Sequence, residues 1–230
     1  TIFLIKLESV SETNNSDEKL LTPLKEFVFR NSFLKIGIIL LFIFFFKFGD
    51  VVAGIMANPF YVKIGFTNIE IANASKIFGV IMTLFGVFIG GYLVNQVGLI
   101  NSLIVSGIFQ IFSNLLYVML NNVGAEFVFL LITVAGENFS GGLGSAAFVA
   151  YLSVLCKKKY SATQYALLSS FMGLARTFLS SPSGFIVESF GWGNFFIIST
   201  IFGLPGLLIL LWMKKNFLLR FKFLVKINSW

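Results

Sequence analysis

Of the 230 residues, 57% are hydrophobic and 12% charged, with a mean hydropathy of +0.91; soluble domains carry about twice that charged fraction, so the chain reads as a polytopic membrane protein. The 17 Lys and Arg outnumber the 10 Asp and Glu, but they cluster beside apolar runs, which points to a lipid bilayer as partner and excludes a nucleic acid. A single cysteine, Cys156, leaves no intrachain disulfide.

Residues 1–33 open on the apolar patch TIFLI, too short to span and read as the end of a preceding helix, so the chain reads as a fragment of something longer. They continue as a polar cytosolic linker with a short amphipathic piece over 24–29. Residues 34–213 are expected to form a bundle of six transmembrane helices, and 214–230 a basic cytosolic tail. The first helix, 34–56, carries Lys47 and Asp50 three residues apart, on one helical face. The second, 71–93, carries Gly86 and Gly90, a spacing that lets two helices approach closely. The third, 102–120, places Gln110 and Asn114 on one face, where amides can bond across helices.

The fourth helix, 127–155, holds Glu137 and Asn138 and a run with Gly141, Gly142 and Gly144 that marks a flexible or closely packed middle. The fifth, 163–187, holds Gln164 and Arg176 and is expected to kink or end at Pro182. The sixth, 195–213, contains Pro205 between two glycines. Bent helices of this kind border the cavity in many transporters.

Lys and Arg concentrate on one side, in the linker, at Lys157, Lys158 and Lys159 and after Lys214, whereas the other side holds Lys63 and Lys76 beside Glu70, Glu126 and Glu188. This asymmetry places both termini in the cytosol. Counted along straight helices from that inner edge, Lys47, Asp50, Arg176 and Glu137 lie at roughly 18, 22, 25 and 30 Å, a common layer. A charge at such depth costs roughly 2.5–3.5 kcal/mol on insertion scales, so each needs a partner or a function. Glu137 is expected to pair with Arg176, and Asp50 with Lys47 or Arg176, around a wet cavity that carries substrate or protons. With no histidine in the chain, protons must move on carboxylates, hydroxyls or water.

Catalysis is not expected. A rhomboid-type protease needs a Ser and His pair, an intramembrane aspartyl protease two facing aspartates where only Asp50 lies in an apolar run, and neither a phosphate-binding loop nor a metal-ligand spacing appears. The expectation is therefore no catalytic residues, no metal and no cofactor.

Two stretches then carry a family resemblance. GYLVNQVG, 91–98, resembles the major facilitator loop G-x-L-x-D-x-x-G-R, with Asn95 in the acidic position and Leu99 in place of the arginine. More specifically, GENFSGGLGSAAFVAYLSVLCKKKYSATQYALLSSFMGLAR, 136–176, resembles the AmpG-type muropeptide permeases of that superfamily, and FKFGDVVAGIM, 46–56, is similar to the start of their C-terminal half. The resemblance implies an all-α fold of twelve helices in two halves, of which this chain is the second, built from two inverted three-helix repeats. It further implies proton-driven import of anhydromuropeptides, amphiphilic sugar-peptides from recycled cell wall, across the bacterial inner membrane, with an N-terminal six-helix half as partner. On the same pattern Lys47, Asp50, Glu137, Asn138, Gln164 and Arg176 fall on cavity helices. A carrier of another organic anion or of acetyl-CoA, and a non-transporting relic or assembly module, are the competing readings.

Overall fold

The computed structural model describes residues 22–23, 25–29 and 33–227, apart from the side chains of residues 175, 176, 179, 180 and 217–227. The described chain is helical: α1 (Phe33–Phe46), α2 (Phe48–Ile64), α3 (Asn68–Ala72), a π-helical turn (Asn73–Phe78), α4 (Gly79–Val97), α5 (Leu99–Val123), α6 (Phe127–Leu155), α7 (Ser161–Ser180) and α8 (Ser183–Ile227). Five stretches are long and apolar enough to cross a membrane by length and composition: Phe33–Ile64, Asn68–Val97, Leu99–Val123, Phe127–Leu155 and Ser183–Asn216. α7 is not among them, because Gln164 and Arg176, with Thr163, Ser169, Ser170 and Thr177, lower its mean hydropathy.

Local chemistry sets the ends. Thr67 and Glu70 form a reciprocal cap, Thr67 N–H donating to Glu70 Oε2 at 2.8 Å and Glu70 N–H to Thr67 Oγ1 at 3.3 Å, which satisfies amide donors that α3 would otherwise leave open. Gly65, at φ +117°, closes α2 by turning its own N–H back to the carbonyls of Tyr61 and Val62. Gly191, at φ +77°, breaks the regular course of α8. The chain turns at Ser181 and Pro182, between α7 and α8, short of the 187 expected for the end of the fifth helix.

Two departures from the expected helices bear on the site. The first span is not one helix but two, interrupted at Lys47, whose backbone (φ −100°, ψ 1°) leaves helical geometry. Packing accounts for the break. A Cβ on Gly49 would lie 2.5 Å from the Ser199 carbonyl oxygen, and one on Gly206 would lie 2.7 Å from the Cα of Phe46, so the chain on both sides of Lys47 is pressed against the α8 backbone. The second span contains the π-helical turn, which ends at Gly79, beside Asn138 of α6.

α6 is the central element, packed along α4 and α5, while α5 packs in turn on α8. Backbone contact makes the α4–α6 pairing possible. A Cβ on Gly86 would collide with the Phe139 carbonyl oxygen, one on Gly142 with the Thr83 carbonyl oxygen, and one on Gly90 would lie 2.7 Å from the Leu143 carbonyl oxygen. The run at Gly141, Gly142 and Gly144 stays helical throughout. One aromatic cluster, Phe60, Tyr61, Tyr117, Trp192 and Phe196, fills the region between α2, α5 and α8, with Tyr117 stacked on Phe196 at 4.5 Å between ring centroids. α4 is the least covered span, and Ile81, Leu84, Phe85, Phe88 and Tyr92 are exposed along it.

Candidate functional site

The break at Lys47 turns its side chain onto α6. Lys47 Nζ lies 3.3 Å from Asp50 Oδ2 and donates to the Gly141 carbonyl oxygen and to Ser145 Oγ, each at 3.2 Å. The ammonium thus replaces part of its hydration shell with one carboxylate, one carbonyl and one hydroxyl. Both side chains of the pair are about seven-eighths covered, at 13% and 14% exposure, so water screens their attraction less than on a protein surface.

From Lys47 the contact between the first span and α6 runs as an antiparallel seam. Lys47 meets Ser145; Asp50 Oδ2 lies 3.9 Å from where a Cβ on Gly141 would stand; Glu137 Oε1 lies 3.1 Å from the corresponding point on Gly54. Positions 47, 50 and 54 on one side and 145, 141 and 137 on the other follow helical spacing, so each set occupies a single face. Seven residues separate Lys47 from Gly54, so the seam is about 10 Å tall. Lys47, Asp50 and Glu137 therefore lie along one seam, and Asp50 is paired with Lys47, one of the two partners expected for it.

Glu137 has a partner that sequence reasoning missed. Its carboxylate accepts the hydroxyl of Tyr117, and Tyr117 is in turn approached by the Tyr61 hydroxyl at 3.4 Å. Both tyrosines are buried. The signal for Tyr117 was available, because Gln110, Asn114 and Tyr117 stand at i, i+4 and i+7 on α5 and form one polar stripe facing α6 and α8. Asn138 points the other way around α6: its Oδ1 accepts from Thr83 Oγ1 at 3.0 Å and its Nδ2 donates to the Val134 carbonyl at 2.9 Å. Thr83 and the neighbouring Gly79 carbonyl, which also accepts from Thr83 at 2.9 Å, bring the end of the π-helical turn into the site.

Arg176 lies on α7, and its side chain falls outside the described residues, as does the expected Glu137–Arg176 pair. Gln164 stands apart from the seam. It accepts from Lys157 N–H at 2.8 Å and donates to the Pro23 carbonyl at 3.0 Å and to Glu26 Oε2 at 2.8 Å, and Glu26 is also ion-paired to Lys157 at 3.1 Å. Along α6, Lys157 is twenty residues from Glu137, or about 30 Å. Gln164 thus fastens the segment before α1 to the α6–α7 turn, and Phe27 of that segment is buried in a cluster with Leu168 and Met213. Replacing Gln164 with Leu is expected to lower stability by about 1–2 kcal/mol, the cost of orphaning buried partners, and to speed proteolysis at residues 22–29 several-fold while leaving the α4–α6 core protected in hydrogen exchange.

Among the described residues no cluster of three or more His, Cys, Asp or Glu is arranged to hold a metal ion. Along about 10 Å the seam gathers one cation, two carboxylates and the hydroxyls of Ser145 and Tyr117, which suits binding of an ionic, hydrogen-bonding solute.

No protein-family model matches the chain. Among curated proteins it is 42% identical over 196 residues to the putative transporter AmpG 4 of Rickettsia felis, covering 85% of this chain and 47% of the relative. It is 34% identical over 210 residues to the putative transporter AmpG 1 of Rickettsia bellii, covering 89% and 50%. With the anhydromuropeptide permease of Escherichia coli it shares 35% identity over 201 residues, covering 87% and 40%. The chain thus spans about half the length of the relatives it matches, and these are named as transporters or permeases rather than enzymes. Multi-pass, helical over its described residues and similar to these proteins over more than four-fifths of its own length, the chain is a relative of the AmpG-type muropeptide permeases, matching a part of them.

Proposed function

We propose that the chain is the C-terminal six-helix half of a major facilitator carrier that imports anhydromuropeptides together with protons across the bacterial inner membrane, with both termini in the cytosol. The observation that carries this reading is the seam of Lys47, Asp50, Ser145 and Glu137 at mid-depth, in a chain similar to named permeases. α7 serves as the sixth span. At twenty residues it reaches about 30 Å, and its polar content suits a helix that borders water rather than lipid. Two inverted three-helix repeats then follow, α1–α2 to α5 and α6 to α8.

In this mechanism Lys47 and Arg176 attract the carboxylates of the peptide part of the cargo, and Asn138 and Ser145 hydrogen-bond its polar groups. Asp50 or Glu137 takes up and releases the proton, and Tyr117 holds the Glu137 carboxylate in place through its hydroxyl. A second six-helix half completes the cavity, and its rocking against this one exposes the seam to each side in turn. The exposed apolar face of α4 is consistent with a neighbour of that kind.

Uptake of labelled anhydromuropeptide into proteoliposomes tests the reading. Uptake is expected when the chain is reconstituted with an N-terminal half and a proton gradient, and Lys47→Met is expected to reduce it at least about tenfold, the effect of losing one charge-assisted contact. Equal failure with and without the second half would identify a non-transporting module, and uptake of other organic anions in its place would move the cargo class.

A further inference from the structure

The seam carries two carboxyl groups and one ammonium, and the ammonium is committed. Lys47 holds Asp50 at 3.3 Å and spends its other donors on the Gly141 carbonyl and Ser145. Glu137 stands one helical turn along α6 from Gly141, half-buried, and its carboxyl accepts from the Tyr117 hydroxyl. Among the described side chains no cation lies within 4 Å of it. α2 turns Asp50, a like charge, toward the same stretch of seam, and α4 and α5 carry no charged residue. Lys76 on the π-helical turn and Glu188 on α8 are exposed, and the one charged residue of α7 is Arg176, whose side chain is not described.

We propose that Glu137 is the proton-binding carboxyl of this half, with Tyr117 and Tyr61 as its positioning residues, while Asp50 remains the fixed counter-ion of Lys47. The assignment rests on the carrier reading, which left the proton to either carboxyl, and narrows it to one. A buried charge without an opposite partner is expensive, and a carboxyl so placed neutralises by taking up a proton. Two acids in unlike surroundings thus divide the work: the paired one keeps its charge and the unpaired one changes it. The new O–H bond forms at Oε1, beside Gly54, where no side chain fills the space. Water on the half-exposed side of α6 supplies the proton and takes it back. Oε2 accepts from Tyr117 in both states, and Tyr61 donates to the Tyr117 hydroxyl at 3.4 Å. The two buried rings lie 6.1 Å apart and nearly parallel, with Tyr117 also stacked on Phe196, so their hydroxyls are held in place.

Infrared spectroscopy of the full chain in lipid nanodiscs tests this without any cargo. A carboxylic acid carbonyl band is expected near neutral pH, fading as the pH rises, absent in Glu137→Gln and retained in Asp50→Asn. Tyr117→Phe should move that band to higher wavenumber, whereas Tyr92→Phe, exposed on α4, should not. A band that survives Glu137→Gln and vanishes in Asp50→Asn would hand the proton to Asp50 and overturn the proposal. A band that appears only after Arg176→Gln would show Glu137 held ionised by the arginine, with the same consequence. Reconstituted with an N-terminal half, Glu137→Gln is expected to lose the response of uptake to a pH gradient, and a full response would overturn the proposal. Wild-type protein that shows the acid band but takes up no anhydromuropeptide would count against the carrier reading and leave the proton assigned to Glu137.

Discussion

Replacing Gly142 with leucine is expected to leave little folded protein. A side chain at this position enters the Thr83 carbonyl on α4, and the clash is with backbone, which cannot rotate away. Overpacking a well-fitted interior costs about 1–3 kcal/mol and sometimes more, and here the whole α4–α6 contact must open to admit the new atoms. The loss should sit at or above the top of that range. Gly86→Leu is expected to behave alike, because its Cβ would meet the Phe139 carbonyl from the opposite side of the same contact. Gly91 supplies the control: it stands one residue after Gly90 on α4 with nothing within 4 Å of its Cβ position, so Gly91→Ala should leave the thermal transition nearly unchanged. Size-exclusion profiles and thermal unfolding of the three variants in one detergent give the comparison.

The second large effect is expected at Lys47. Changing it to methionine leaves the Asp50 carboxylate without its cation, in a place only 14% exposed, and strips a donor from both the Gly141 carbonyl and Ser145. Breaking one partner of a buried ion pair costs about 3–5 kcal/mol, whereas replacing both by apolar groups is often close to neutral. Lys47→Met alone should therefore destabilise by about 3 kcal/mol, the low end because the pair is not fully enclosed. The double variant Lys47→Met, Asp50→Leu should recover most of that loss. A double-mutant cycle in unfolding free energy measures the coupling, and the two losses adding independently would mean that the pair carries no stabilising interaction.

How much of this could be read from the residues varies from one element to the next. The bounds of α6 follow from composition, because a mainly apolar run with Glu137 as its one charged residue lies between Glu126 and the three lysines after Cys156. The Lys47–Asp50 pair follows from its spacing, since three residues along a helix bring two side chains to one face. The break at Lys47 does not follow. No proline or glycine occupies that position, and its cause is tertiary: the α8 backbone at Ser199 and Gly206 presses on the chain beside it. The π-helical turn at Asn73–Phe78 is equally silent in the sequence, where no proline or glycine falls within it. Gln164 looked like a cavity residue because its helix is a cavity helix in the family resembled. Its actual partners, Pro23 and Glu26, come from a segment whose docking no local pattern encodes. Tyr117 shares a face of α5 with Gln110 and Asn114, and that spacing marks the stripe, but its partner Glu137 follows only from the packing of α6 on α5.

Cysteine scanning of the seam, in a Cys156→Ala background and in native membranes, tests the central claim most directly. The account places Ser145 against water and Phe112, 64% exposed on α5, against lipid. Because a thiol reacts as its thiolate and ionises only where water reaches it, Ser145→Cys should react with a charged thiosulfonate at least about tenfold faster than Phe112→Cys. Anhydromuropeptide should slow the first reaction and leave the second unchanged. A Ser145→Cys variant as inert as Phe112→Cys would show Lys47 and Asp50 facing hydrocarbon, and would contradict a solute path along this seam.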